Sequence, residues 1–455
     1  MKKLKLYLAS LSPSQVLALG FMLIILMGSL LLMLPIAMEP GVSINYLQAL
    51  FTATSAVCVT GLTVVDTATS FSLFGELVII GLIQLGGLGF MLFATFVLVL
   101  TKRRISLRNR ILLHETMSMP GFSGTVRTSL CFMLIVFAIE AIGALFLAVQ
   151  FVPKMGWSKG IYYGAFHSIS AFCNAGFDLF GAAGSLTQFS NSPGVLYTIA
   201  ILIVFGGLGF AVIIDVLNNR RNFKDLHLHS KAAVVMTLAL LFFGAVFIAV
   251  IEWNNPMTLA GNGSNALDKI NNAFFQSVTT RTAGYCSFQQ SNMSDAGKII
   301  SIILMFIGAS PASTGGGIKT TTFFVLLAVL RSVFYGSIDV NAFRKRLPLV
   351  LIRTALAIFL ISLGLLVFGS VLMSVAEQGK GLSLLDNMFE QASALATVGL
   401  SSAGTANYSL TSKLWLILLM YFGRVGPLTM MISFQRRSAS RTHGVRYAED
   451  NLYIG

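Results

Sequence analysis

Long apolar runs dominate the chain, and the polar stretches between them are of two alternating kinds. Runs of roughly 18 or more apolar residues can cross a bilayer core of about 30 Å. They occur at Val16–Leu34, Val78–Leu100, Leu130–Val152, Leu196–Leu217, Ala232–Trp253, Ile299–Phe334 (interrupted), Leu349–Val375 and Leu414–Phe434. Eight membrane spans are therefore expected. The first follows Lys2, Lys3 and Lys5 but is long and has no small-residue cleavage site, so it reads as a retained span and not a signal peptide.

Within each successive pair of spans lies a copy of one pattern. The first copy, Asn45–Val65, reads NYLQALFTATSAVCVTGLTVV: a short helix through Phe, then an extended segment ending on Gly. The anchors are Phe51 and Gly61, Phe166 and Gly176, Phe274 and Gly284, Phe389 and Gly399, each pair ten apart. Phe and Gly are abundant, so the pairing alone is weak. The placement is not: the glycines are 115, 108 and 115 residues apart, one copy between each pair of apolar runs. The repeats divide the chain at about 1–110, 111–225, 226–340 and 341–455.

Twelve helical residues reach only about 18 Å, too short to cross, so each segment must enter the membrane and return. Non-helical backbone at that depth has to be buried in protein or line water. Four such segments satisfy this by facing a common axis. Their tips are Val59-Thr60-Gly61, Asn174-Ala175-Gly176, Thr282-Ala283-Gly284 and Thr397-Val398-Gly399. A glycine at each tip permits positive φ, carbonyls turned to the axis can replace a cation's hydration shell, and the helices aim their negative C-terminal ends at it. The expected fold is an all-α polytopic membrane protein of four span–pore helix–span repeats around a pseudo-four-fold pore.

Composition supports a membrane protein: 55% of residues are hydrophobic and 11% charged, with mean hydropathy +0.81. The net charge of +14 raises nucleic acid as a partner, and its distribution excludes that. Of 31 Lys and Arg, 22 lie at the termini and in three connections (Thr101–Ser129, Asn218–Lys231, Arg331–Arg353) that alternate with the Phe–Gly copies. The positive-inside rule puts these segments and both termini in the cytoplasm, and the repeats open to the outside. Orientation and anionic-lipid contact explain most of this charge; a docking surface for a soluble partner can overlap it.

The four cysteines lack metal-ligand spacing, and Cys58 and Cys173 read as small buried side chains. Among the five histidines, His227 and His229 are two apart in a basic connection and read as solvated. No phosphate-binding loop, nucleophile–base order or paired-carboxylate site occurs, so the chain does not read as an enzyme, and no covalently bound cofactor is expected.

The four-fold plan with one tip glycine per repeat resembles the Trk/Ktr/HKT potassium transporter superfamily over nearly the whole chain. The resemblance is nearest to the membrane subunits of bacterial Ktr-type uptake systems; Trk-type relatives carry an extra N-terminal helix pair, whereas the first span here begins near Val16. Some plant relatives have Ser at the first tip and favour sodium, and Gly61 resembles the potassium-preferring pattern. The resemblance implies potassium bound by the twelve tip residues, sodium dependence, a homodimer with one pore per chain, and a cytosolic ring of nucleotide-binding (RCK-type) subunits. A sodium-coupled or poorly selective monovalent cation secondary transporter is the alternative, although two or three repeats and a coupling carboxylate would suit it better.

The second span of each repeat carries small residues in one register: Gly86-Gly87-Leu88-Gly89, Gly206-Gly207-Leu208-Gly209, Gly308-Ala309-Ser310-Pro311 and Gly423-Arg424-Val425-Gly426. They suit close helix packing or a narrow cavity. The third is followed by Ala312, Ser313, Thr314, Gly315, Gly316, Gly317, Ile318 and Lys319, which cannot continue a helix; 36 residues in one helix would measure about 54 Å. An unwound segment near the midplane is expected, resembling the family's gating loop. Arg424 stands where the other three repeats have a small residue, and a charge at this depth is a candidate pore barrier, a structural bond to loop carbonyls, or both. Glu140 is expected to make a structural bond, Asp215 to lie near the interface, and Arg281 to brace the tips from behind.

Overall fold

The structure is a computed structural model that describes residues 12–101, 125–181, 184–219, 222–261, 264–426 and 429–430. It is mostly helical. Four outer helices, α1 (Pro13–Leu32), α5 (Thr125–Met155), α9 (Leu228–Glu252) and α13 (Leu349–Ala376), each precede a shorter helix: α2 (Tyr46–Val57), α6 (Trp157–Phe172), α10 (Ala266–Thr279) and α14 (Leu384–Leu395). Four inner helices follow: α3 (Leu73–Leu88), α7 (Pro193–Leu208), α11 (Asp295–Phe306) and α15 (Leu410–Val425). The first three continue after a break as α4 (Phe90–Leu100), α8 (Phe210–Asn218) and α12 (Thr320–Phe334). A hairpin of β1 (Asn341–Ala342) against β2 (Lys345–Arg346) lies in the connection before α13.

The four outer helices are long and apolar enough to cross a membrane, and the bent pairs α3–α4 and α7–α8 raise the number to six. By length and composition, the described helices thus account for six of the eight expected spans. Gly89 (φ 82°) and Gly209 (φ 90°) adopt a backbone that favours glycine and turn the chain by 100° and 94°. α11 and α15 have only 12 and 16 residues: the first unwinds after Phe306, and the second is capped by Gly426 at φ 91°. Residues 427–428 and 431–434 of the eighth expected span lie outside the described residues, as do the basic residues of both termini, most of the Thr101–Ser129 connection, and Arg220 and Arg221.

Outer helices present Leu30, Leu145, Phe242 and Val350 outward, as lipid contact requires, while the short helices fill the centre. Capping boxes start three of these, Asn45 with Gln48, Asn265 with Asp268, and Ser383 with Asp386. The anchors Phe51, Phe166 and Phe389 are buried. Phe274 is not; its neighbour Phe275 takes the buried place. The cause is a turn one residue shorter. The amides of Thr60, Ala175 and Val398 reach carbonyls five residues back, on Ser55, Ser170 and Ser393, whereas Ala283 reaches Thr279, four back.

Candidate functional site: the four tips and the loop beneath them

Each short helix ends in a turn of the same unusual backbone. Two residues before each tip glycine φ is positive, at Val59 (57°), Asn174 (58°), Thr282 (70°) and Thr397 (53°), and it is positive again at Gly61 (90°), Gly176 (69°), Gly284 (82°) and Gly399 (97°). Asn tolerates this conformation; β-branched Val and Thr do not, at a cost of about 1–3 kcal/mol each. Such strain persists only where the surroundings over-determine it. Here serine hydroxyls six residues before the glycine do so: Ser55 Oγ and Ser393 Oγ accept the amides of Gly61 and Gly399, both at 3.0 Å, and Ser170 Oγ donates to the Phe177 carbonyl at 2.8 Å. In the shorter third turn Thr279 Oγ1 donates to the Tyr285 carbonyl instead. These braces were missed from the sequence, although three serines at one spacing from the tip glycines were there to be seen.

The four tips meet in a closed cycle. A Cβ on Gly61 would lie 2.5 Å from the Ala175 carbonyl oxygen, one on Gly176 2.6 Å from that of Ala283, and one on Gly284 2.7 Å from that of Val398. A Cβ on Gly399 would collide with the Thr60 carbonyl oxygen and lie 3.0 Å from the Gly61 Cα. Thr60, Gly61, Ala175, Gly176, Ala283, Gly284, Val398 and Gly399 are thus brought to one place. On one side of the cycle a cavity of about 330 Å³ is lined by all four glycines, with Asp66, Asp178 and Gln289 on its walls.

On the other side lies the unwound segment. Its ends are tied by Gly308 N to Ile318 O (2.9 Å) and Thr320 N to Ala309 O (3.2 Å), so it forms a compact loop. Ser310 N and Thr314 N donate to the Gly207 and Gly206 carbonyls of α7, and Phe210 N donates to Ala312 O at 2.9 Å. Ser313 Oγ closes the turn on Ser310 O, and Lys319 Nζ donates to Gly315 O at 2.6 Å. Gly315 and Gly316 press on Thr282 and Thr397 so closely that a Cβ on either would strike their hydroxyls. Gly317, at φ 72°, returns the chain towards α12.

Arg424 completes the arrangement. Its guanidinium donates to the carbonyls of Thr314, Gly86 and Gly87 (the last at 2.8 Å), bridging the loop to α3. The contact with loop carbonyls agrees with the register alignment. One position before Arg424 in the register, space is short: Gly86, Gly206 and Gly423 each abut a carbonyl four residues before a tip glycine, on Val57, Phe172 and Leu395.

Other charges fall partly as expected. Glu140 accepts from Gln84 Nε2 at 2.8 Å, a structural bond. Arg281, expected to brace the tips from behind, reaches from the third turn to the Thr237 and Gly308 carbonyls, 3.4 Å away, the latter left without a helical partner where α11 unwinds. His227 is also not merely solvated, since its Nδ1 lies 2.9 Å from Asp215 Oδ1. Among the described residues no cluster of three His, Cys, Asp or Glu could hold a metal.

Long apolar helices enclosing re-entrant segments define a multi-pass membrane protein. The chain matches the family described as TrkH, cation transport protein, over residues 5–442, and it belongs to that family. It is 39% identical over 98% of its length to the Ktr system potassium uptake protein B of Bacillus subtilis, covering 97% of that protein. To the potassium/sodium uptake protein NtpJ of Enterococcus hirae it is 39% identical, with 98% of both chains covered. The fold is that of the potassium transporter TrkH from Vibrio parahaemolyticus, with TM-score 0.68 and 17% identity over 91% of this chain and 84% of that one.

Proposed function

We propose that the chain takes up potassium across the cell membrane as the ion-conducting subunit of a Ktr-type system. The closed cycle of tip glycines, each against its neighbour's carbonyl, carries this reading. Backbone held in a strained conformation by buried hydroxyls is what carbonyl coordination of a dehydrated cation needs, because the oxygens must be in place before the ion arrives. Val59, Thr60, Gly61, Asn174, Ala175, Gly176, Thr282, Ala283, Gly284, Thr397, Val398 and Gly399 form the selectivity filter, and the four repeats surround one central pore with eight membrane crossings.

The loop from Gly308 to Lys319 is the gate, and Arg424 is a barrier in the path below the filter. Arg424, Lys319 and the carbonyl lattice around them close the route with positive charge and packed backbone. The basic connections and both termini face the cytoplasm, where a regulatory ring of nucleotide-binding subunits docks on a homodimer of this chain. Both relatives are named for potassium uptake, which supports the choice of ion. The second name adds sodium, so a less selective monovalent cation pathway is the second reading.

Flux from proteoliposomes containing only this chain tests the proposal. Potassium should move down its gradient faster than sodium, and sodium should compete poorly. Equal potassium and sodium flux would favour the second reading. No flux of either ion, with the loop shortened and the protein inserted, would reject a pore.

A further inference from the structure

The Asn174 side chain is placed where filter and loop could act on one another, and no other tip has an amide at this position. Its Nδ2 donates to Thr282 Oγ1 at 3.2 Å and faces the Arg281 carbonyl at 3.4 Å, tying the second tip to the third. Its Oδ1 faces Thr314 Oγ1 at 3.3 Å, and the same hydroxyl reaches the Phe172 carbonyl at 3.3 Å. Thr314 is fully buried. Its amide bonds to Gly206 O, and its carbonyl accepts from Arg424. One loop residue therefore touches the second tip, the second inner helix and the barrier arginine. A Cβ on Gly206 would lie 2.7 Å from Asn174 Oδ1, so the inner helix is kept bare where the amide sits.

We infer that Asn174 and Thr314 form a two-way latch, through which ion occupancy of the filter and closure of the loop stabilise one another. The inference rests on the reading of the tips as an ion path. When the loop is shut, Thr314 fixes the Asn174 amide, and the amide fixes the spacing of tips two and three. When the loop leaves, Thr314 Oγ1 goes with it, and Asn174 loses the partner that sets its rotamer. The second tip then holds an ion less well. Conduction needs a site strong enough to admit an ion and weak enough to release it. The latch supplies both in turn, a tight filter behind a shut loop and a looser one when the inward path opens.

Linkage fixes the sign in the other direction: if loop closure raises tip affinity by some factor, potassium at the tips favours closure by the same factor. The net worth of a neutral buried hydrogen bond sets that factor at roughly two- to ten-fold. Asn174 is a positioning residue for the gate as well as a filter residue, and Thr314 acts on the tip spacing through it.

Hydrogen–deuterium exchange on the full chain in lipid nanodiscs, in potassium against choline, tests this. Exchange at the loop amides from Ala312 to Gly317 should slow roughly two- to ten-fold in potassium. Thr314→Val keeps the side-chain shape and removes the donor, so this dependence should vanish and the potassium-over-sodium preference measured by thermal shift should fall. Thr314→Ser keeps the hydroxyl and should behave as the unsubstituted chain. The latch is overturned if Thr314→Val retains the full potassium dependence, or if potassium raises the melting temperature of the unsubstituted chain while its loop exchange stays unchanged. No potassium-specific thermal shift in the unsubstituted chain would overturn the ion-path reading itself, and the latch with it.

Discussion

Three inner helices end at a single glycine, Gly89, Gly209 or Gly426, while the third, which has Pro311 in that register, unwinds from Ile307 to Lys319. The tips above them show no such split: all four share the positive φ at the glycine and two residues before it. A coordination site needs its contributors alike, because each oxygen faces the same ion. A gate needs only one contributor able to move. The difference also explains Arg424. Its counterparts are Gly87, Gly207 and Ala309, and its guanidinium fills the room beside the loop by bonding to Thr314, Gly86 and Gly87 carbonyls.

Making the third repeat more like the others should have the largest effect. Removing part of Ala312–Gly317 takes away the segment packed under Thr282 and Thr397, and potassium flux in proteoliposomes should rise on the order of a hundredfold, equivalent to about 2.7 kcal/mol of barrier. Its dependence on the proposed cytosolic partner should weaken. A correctly inserted, shortened chain that conducts no faster would mean the loop is not the gate.

Arg424→Ala gives the fourth helix the small residue its counterparts have. Two unit charges about 4 Å apart at an effective dielectric near 20 interact by about 4 kcal/mol; hydration of the path lowers this, and a rise of roughly tenfold in flux is expected. The effect should be smaller in the shortened-loop background, since both changes break one network. Strictly additive logarithmic rates would separate barrier from loop, and a fall in flux with intact insertion would reject the barrier.

Gly61→Ser tests whether one tip matters as the others do. A Cβ there lies 2.5 Å from the Ala175 carbonyl and φ is 90°, so the tip must shift. The potassium-over-sodium ratio in uptake competition should fall roughly five- to tenfold, about 1–1.4 kcal/mol, at normal protein levels. An unchanged ratio would argue against a four-part filter.

The smallest effect lies outside the pore, in a feature the third and fourth repeats share. Glu252 accepts the Ser294 amide and hydroxyl, and Glu377 those of Ser409, each joining the end of an outer helix to the start of an inner one. Burial raises the Glu377 carboxyl, but hydrogen bonds from Ser409, Ser412 and Lys380 outweigh it and hold the pKa at about 2. A depressed folded-state pKa means the stabilisation is present above the unfolded value of about 4.3 and is lost as pH falls towards 2. Glu377→Gln should cost about 1 kcal/mol at pH 7, and the difference should close between about pH 4.3 and 2. A pH-independent difference in thermal unfolding would contradict the linkage.

How much of this the sequence showed depends on whether a feature is periodic or a matter of three-dimensional contact. The four tips and the unwound loop were legible because glycine at a fixed interval and a polar glycine run inside an apolar span each have a physical cause visible in one dimension. The bends at Gly89 and Gly209 were not. A glycine in an apolar run reads equally well as close packing, and here Gly86 packs while Gly89 breaks the helix. The shift from Phe274 to Phe275 was hidden by a turn one residue shorter, which the ten-residue spacing masked. The partners of Arg281 were not legible, because one acceptor, the Gly308 carbonyl, becomes available only once the neighbouring helix unwinds.

Whether the four tips together hold an ion is best tested by seeing the ion. Rubidium has potassium's charge and nearly its size, and its anomalous scattering marks its position in crystals grown with the salt. A peak at the centre of Gly61, Gly176, Gly284 and Gly399, within coordination distance of tip carbonyls from all four segments, is the expected result. Rubidium peaks elsewhere in the chain with none among the four tips would contradict the filter.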